Sequence, residues 1–218
     1  MEMTVFMTDG EITRLLRSFN PRMTNGIMYS AVIRLMGFCG LRASEVIGHE
    51  KREGGGLRIR DIDLTSGEVT IRDAKDTRAK EKRQKKNKTG RVVFAQGETL
   101  EAMRTWWTKT RYSLPGQDPE DYFFCNRFGG KINNSQLRRA FRIYGAKAGI
   151  PQEKRHPHAL RHSAGTRFYK ITKDLLITQK ILGHANAHET VRYAHVSGAD
   201  IEETMKRVLG RIESTQIL

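Results

Sequence analysis

The chain has 218 residues, 38% of them hydrophobic, and carries 39 Lys and Arg against 24 Asp and Glu, for a formal charge of +15. That length and hydrophobic content support a real core and argue against a disordered or low-complexity chain, while the basic excess makes a polyanion the natural partner. With no run of eighteen apolar residues and no basic-then-apolar order at Met1-Glu2-Met3, neither a membrane-spanning helix nor a signal peptide is expected, and the cytoplasm is the expected location.

Thr8-Asp9 caps a helix whose apolar residues Ile12, Leu15, Leu16 and Phe19 recur at helical spacing, and Asn20-Pro21 stops it. A second helix runs from Ile27 to Phe38 and ends at Gly40-Leu41-Arg42. Ser44-Glu45-Val46 then opens a third, so Arg42 sits at a junction between helices. From Leu57 to Phe94 the pattern changes to short strands: Leu57, Ile59, Ile62 and Leu64; Val69 and Ile71; Val92, Val93 and Phe94. Between the last two lies Asp73 to Gly90, dense in Lys and Arg, too charged to bury and too long for a tight hairpin, and expected as a mobile loop. Helices return at Glu98 to Tyr112, Asn134 to Lys147, His158 to Tyr169, Asp174 to Leu182 and Ala199 to Ile212, separated by Pro115, Pro119, Pro151 and Pro157. The expected fold class is α+β, mostly helical with one small antiparallel sheet, in a single domain over residues 1–218. Residues 1–196 form its core and 197–218 a tail helix. Cys39 and Cys125 have no paired spacing and read as reduced core thiols.

His158 and Arg161 lie three apart, on one face of a helix that begins just after a proline. Both can point at one phosphate at a helix N-terminus, where backbone N–H groups favour an anion. They can equally be an ordinary cap and an ordinary surface residue. Leu182-Gly183-His184 is followed by Tyr193 within Glu189-Thr190-Val191-Arg192-Tyr193-Ala194-His195. A helix-ending glycine, its neighbouring histidine and a tyrosine can converge on one group, or can be a helix stop followed by a packing tyrosine. The crowding of His156, His158 and His162, and the spacing of His184 and His188, also permit a metal site, but no carboxylate-rich cluster accompanies them.

Taken together and in order, these pieces resemble the tyrosine recombinase (phage integrase) family. Gly40-Leu41-Arg42-Ala43-Ser44-Glu45-Val46 is similar to its first-arginine motif, His158-Ala159-Leu160-Arg161-His162 to its His-x-x-Arg motif, and Leu182-Gly183-His184 through Tyr193 to its His-to-tyrosine segment. The resemblance implies a catalytic domain that cuts and rejoins double-stranded DNA without metal or other cofactor. Arg42 and Arg161 would clamp the scissile phosphate, and Tyr193 would attack it to give a 3′-phosphotyrosine. His158 would take the tyrosine proton or bond the phosphate, and His184 would donate to a non-bridging oxygen. It also implies a lysine that protonates the leaving 5′-oxygen. Lys75, directly after the strand ending at Arg72, is the preferred assignment, with Lys88 in Lys88-Thr89-Gly90 as the competitor. The loop cations Lys80, Lys82, Arg83, Lys85, Lys86 and Lys88 are expected on the DNA backbone, with salt-sensitive binding.

Members of the family usually carry an N-terminal helical domain, and none is expected here because the motifs begin near Thr8. Self-association on DNA as a tetrameric synapse is a further expectation. The tail sets Ile201, Met205, Val208, Leu209 and Ile212 among charges, a pattern that fits docking on an adjacent protomer and completion of its own core equally well. A type IB topoisomerase and a non-catalytic DNA-binding protein are the alternatives to site-specific recombination. The complete Arg, His-x-x-Arg, His and Tyr set weighs against the second of these.

Overall fold

The structure, a computed structural model, describes residues 5–49, 55–72, 90–184 and 188–191. Helix α1 (Asp9–Arg17) starts where the Thr8 hydroxyl accepts the Glu11 N–H at 3.2 Å and the Glu11 carboxylate accepts the Thr8 N–H at 2.7 Å. This reciprocal cap satisfies two backbone donors that no helical carbonyl reaches. Its buried apolar residues are Ile12 and Leu15, and the helix packs against α2 (Thr24–Phe38).

Helix α2 is the centre of the core. Met28, Ala31, Val32, Ile33, Leu35 and Met36 are all buried, so the helix is covered nearly all round, as its continuous apolar sequence requires. It packs between α4 (Glu98–Lys109) and α6 (Pro157–Thr172). Each large aliphatic side chain buried this way contributes about 1.5–3 kcal/mol. A short helix, α3 (Ala43–Ile47), follows α2 and carries Arg42 at its N-terminal cap.

The sheet has two antiparallel strands, β1 (Glu68–Ile71) and β2 (Arg91–Phe94), in a register that sets Glu68 opposite Phe94 and Ile71 opposite Arg91. The segment around Ile59 is not the expected strand. Asp61 turns back to accept the Arg58 N–H at 2.9 Å, which closes a 3-10 turn over Ile59–Asp61 and leaves only single bridges at Arg58 and Ile62. The expected helix to Tyr112 also stops early: α4 ends at Lys109, Thr110 leaves the helical region, and Arg111–Ser113 form a separate 3-10 turn.

Helix α5 (Asn134–Lys147) has the expected bounds, with Asn133 accepting the Ser135 N–H at 2.8 Å. Pro157 occupies the first turn of α6, where its fixed φ suits a helix and its missing N–H costs nothing. Asp174 caps α7 (Leu175–Leu182) by accepting the N–H groups of Leu176 and Ile177 at 2.7 and 3.0 Å. A one-turn helix, α8 (His188–Val191), follows. Cys39 and Cys125 are both buried and outside any disulfide, and burial pushes the Cys39 thiol up to about 12. Among the described residues no helix is long and apolar enough to cross a membrane. The basic run over 73–89, Tyr193 and the segment expected as a tail helix lie outside the described residues.

Candidate active site

Four of the six residues expected at the site fall within the described residues, and three of them, Arg42, Arg161 and His184, meet at one place: the C-terminal end of α7. A helix ends with carbonyls that have no helical N–H to accept from and with the negative pole of its dipole, so cations gather there. Arg161 donates to Leu182 O at 2.7 Å, and Arg42 to Gly183 O at 3.4 Å. His184 is the next residue in the chain.

Two glycines make this approach possible. Gly40 ends α2 with φ +74, and a Cβ there would lie 2.6 Å from the Leu182 Cδ2. Its carbonyl accepts the other Arg161 nitrogen at 2.6 Å. Arg161, rooted in the second turn of α6 and 4% exposed, is therefore stretched between the ends of α2 and α7. Gly183 takes the left-handed conformation that stops α7, with φ +64.

Glu45 stands behind the arginines. Its carboxylate accepts the Arg42 N–H at 2.7 Å and lies 3.1 Å from Arg42 Nη1 and 3.7 Å from Arg161 Nη1. Arg91, the first residue of β2, reaches the same carboxylate with both terminal nitrogens. Burial alone would raise the Glu45 carboxyl. The bonds and charge of Arg91, the Arg42 N–H and the charge of Arg161 outweigh it and hold the group below its ordinary value of 4.5. One anion thus orders several guanidiniums without cancelling them, and the pocket keeps a positive excess suited to a phosphate.

His158 is solvent-exposed in the first turn of α6, one turn before Arg161. Partial loss of water around its ring, and then the positive charges of His156, Arg161, Arg138 and Arg42, hold its imidazole below the usual value of 6.5. His156 plays a structural part, since its Nδ1 accepts the Ala159 N–H at 3.3 Å and caps α6. His184 is buried, and its Nδ1 lies 2.8 Å from the hydroxyl of Thr190 on α8. The bond from Gln179 Nε2 to His184 O, at 3.1 Å, fixes the backbone beside it. Among the described residues, no three His, Cys, Asp or Glu are grouped to hold a metal ion.

Tyr193 lies outside the described residues, as do Lys75, Lys80, Lys82, Arg83, Lys85, Lys86 and Lys88. Sequence reasoning passed over Glu45, Arg91 and Thr190. Glu45 carried a signal, since its position three residues after Arg42 suits a reciprocal helix cap. Nothing in the sequence marked the other two.

The pattern described as the Phage integrase family matches residues 5–199, most of the chain. The chain belongs to this family. A tyrosine recombinase of Pseudothermotoga lettingae is 28% identical over 204 residues, which cover 94% of this chain and 60% of that protein. Tyrosine recombinase XerC of Actinobacillus pleuropneumoniae serotype 7 is 31% identical over 166 residues, 76% of this chain and 46% of the relative. The crystal structure of XerA recombinase superposes with a TM-score of 0.70 at 25% identity, over 95% of this chain and 66% of that one. The chain therefore spans about half to two thirds of the length of these proteins, and it shares the fold of the XerA structure over the matched stretch.

Proposed function

We propose that this chain is the catalytic unit of a site-specific DNA recombinase or integrase that cuts and rejoins double-stranded DNA through a 3′-phosphotyrosine. The observation that carries the reading is the convergence of Arg42 and Arg161 on Glu45 and on successive carbonyls at the end of α7, beside His184. Membership of the phage integrase family supports it.

In this reading Arg42 and Arg161 hold two oxygens of the scissile phosphate and neutralise the charge that builds in the transition state. The Tyr193 hydroxyl, with an ordinary pKa of about 10, needs help to ionise. His158, kept neutral by its surroundings, accepts that proton or bonds the phosphate. As the Tyr193 oxygen bonds to phosphorus, the bond to the 5′-oxygen breaks, and a lysine donates the proton that makes it a 5′-hydroxyl. Lys75 is the proposed donor and Lys88 its competitor. His184, oriented through Nδ1 by Thr190, presents its other nitrogen to a non-bridging oxygen. Rejoining reverses these steps, and because the phosphotyrosine conserves the phosphodiester energy, no cofactor or metal is called for.

Lys80, Lys82, Arg83, Lys85, Lys86 and Lys88 are proposed contacts to the DNA backbone. Assembly on DNA as a tetramer, with the tail contacting a neighbour, and action in the cytoplasm belong to the same proposal. The test is to mix the protein with nicked duplexes of randomised sequence in EDTA, denature in detergent and sequence the DNA that stays attached, with Tyr193→Phe as control. Attached DNA that disappears in the control and shares a sequence supports the reading. Strict metal dependence, or sequence-indifferent relaxation of supercoiled plasmid, would count against it, the latter in favour of a topoisomerase.

A further inference from the structure

The last three carbonyls at the C-terminal end of α7 each accept from a different arginine. Ile181 O accepts Arg91 Nε at 2.9 Å, Leu182 O accepts Arg161 Nη2 at 2.7 Å, and Gly183 O accepts Arg42 Nη1 at 3.4 Å. The same three side chains share the Glu45 carboxylate, but unequally. Arg91 takes both oxygens in a parallel fork, Nη1 to Oε1 at 2.9 Å and Nη2 to Oε2 at 2.8 Å, whereas Arg42 and Arg161 stand at 3.1 and 3.7 Å. A bidentate guanidinium–carboxylate pair is both the strongest and the most directional of these contacts. Arg91 therefore sets the plane in which Glu45 lies.

Exposure separates the three arginines by role. The Arg42 side chain is 32% exposed, Arg91 16% and Arg161 5%. Arg91 spends its fork on Glu45 and its Nε on α7, inside the protein. Gly183 is shaped to it: a Cβ at that position would lie 2.5 Å from Arg91 Nη1. The arginine thus ties three separate pieces of chain together: the start of β2, the Glu45 turn that follows Arg42, and the end of α7 at Ile181, three residues before His184.

We propose that Arg91 is a positioning residue of the strand-cleavage site, holding Glu45 so that the carboxylate orders Arg42 and Arg161 without being chelated by them. The inference rests on the strand-cleavage reading above. With Arg91 removed, the partners left to the buried carboxylate among the described residues are Arg42 and Arg161, and it draws their guanidiniums onto itself and away from phosphate. Lysine at the position keeps the charge but cannot meet two carboxylate oxygens and Ile181 O together.

The test is single-turnover formation of the DNA adduct at saturating DNA by the wild type, Arg91→Lys, Arg91→Ala and the double variant Arg91→Ala/Glu45→Gln. Arg91→Ala is expected to slow the step by about 10–100-fold, with DNA affinity nearly unchanged and Arg91→Lys only partly restoring it. The double variant is expected to be faster than Arg91→Ala alone, because the neutral amide no longer competes for Arg42 and Arg161. A general loosening of the fold would make the double variant slower still, and that result, or a wild-type rate in Arg91→Ala, overturns the proposal. A second arm titrates inorganic phosphate against wild type and Arg91→Ala by nuclear magnetic resonance. Weaker phosphate binding in Arg91→Ala supports the proposal and equal binding overturns it. This arm reads the hold of Arg91 on Arg42 and Arg161 even if the wild type forms no adduct, so failure of the strand-cleavage reading and failure of the arrangement proposed for Arg91 are told apart.

Discussion

His184 Nδ1 and Thr190 Oγ1 lie 2.8 Å apart, and both residues are buried, at 8% and 1% exposure. With one ring nitrogen committed to the hydroxyl, the orientation of the other follows. Thr190→Val keeps the shape and removes the partner, so it is expected to slow strand cleavage by about 10–100-fold, while Thr190→Ser retains most of the rate. Single-turnover cleavage of a nicked duplex checks this, and equal rates for Val and Ser would separate the hydroxyl from the chemistry.

Arg161 spans Gly40 O and Leu182 O at 2.6 and 2.7 Å. A lysine ammonium, a point donor on a flexible stem, cannot serve both ends of that span and a phosphate as well. Arg161→Lys is expected to lower the cleavage rate by about 10²–10³-fold and to reduce stability by roughly 1–3 kcal/mol through the unpaired carbonyl. Adduct kinetics and urea unfolding measure the two effects.

The depressed pKa of His158 has a definite sign in kinetics. A ring that accepts the tyrosine proton must be neutral, so the rate falls as pH drops through its pKa. Because loss of hydration and nearby cations hold that pKa below 6.5, the active plateau extends to lower pH than an ordinary histidine would allow. The pH profile of cleavage should show an acidic limb with its midpoint below 6.5, and His158→Ala should lose that limb. A rate that instead falls as pH rises through this range, in the wild type but not in His158→Ala, would mean the ring acts in its charged form.

Gly183 and Gly149 separate backbone strain from site geometry. Both have left-handed φ, +64 and +65, but a Cβ at Gly183 would press on Arg91, whereas nothing lies within 4 Å at Gly149. Alanine at either position is expected to cost about 1–2 kcal/mol of stability. Only Gly183→Ala should also slow cleavage, by about tenfold or more. Thermal melting paired with cleavage assays distinguishes the two.

Much of the architecture was legible because local signals agreed with the tertiary outcome. The Thr8 cap, the apolar stretch of α2 and Gly183 after α7 each act over a few residues, and each appears where expected. The segment Leu57 to Leu64 misled because its alternation mimics a strand, while the Asp61 side chain closes a turn that periodicity does not register. At the site, Arg42, Arg161 and His184 could be read from short motifs. Arg91 could not, since its partners Glu45 and Ile181 are 46 and 90 residues away in the chain. Such a hub exists only once α3, β2 and α7 have packed.

Tyr193 is the proposed nucleophile. Trapping the protein on a nicked duplex, digesting with protease and nuclease, and locating the nucleotide mass by tandem mass spectrometry tests it directly. A phosphodiester-linked nucleotide is expected on Tyr193; the same mass located on any other residue would contradict that assignment.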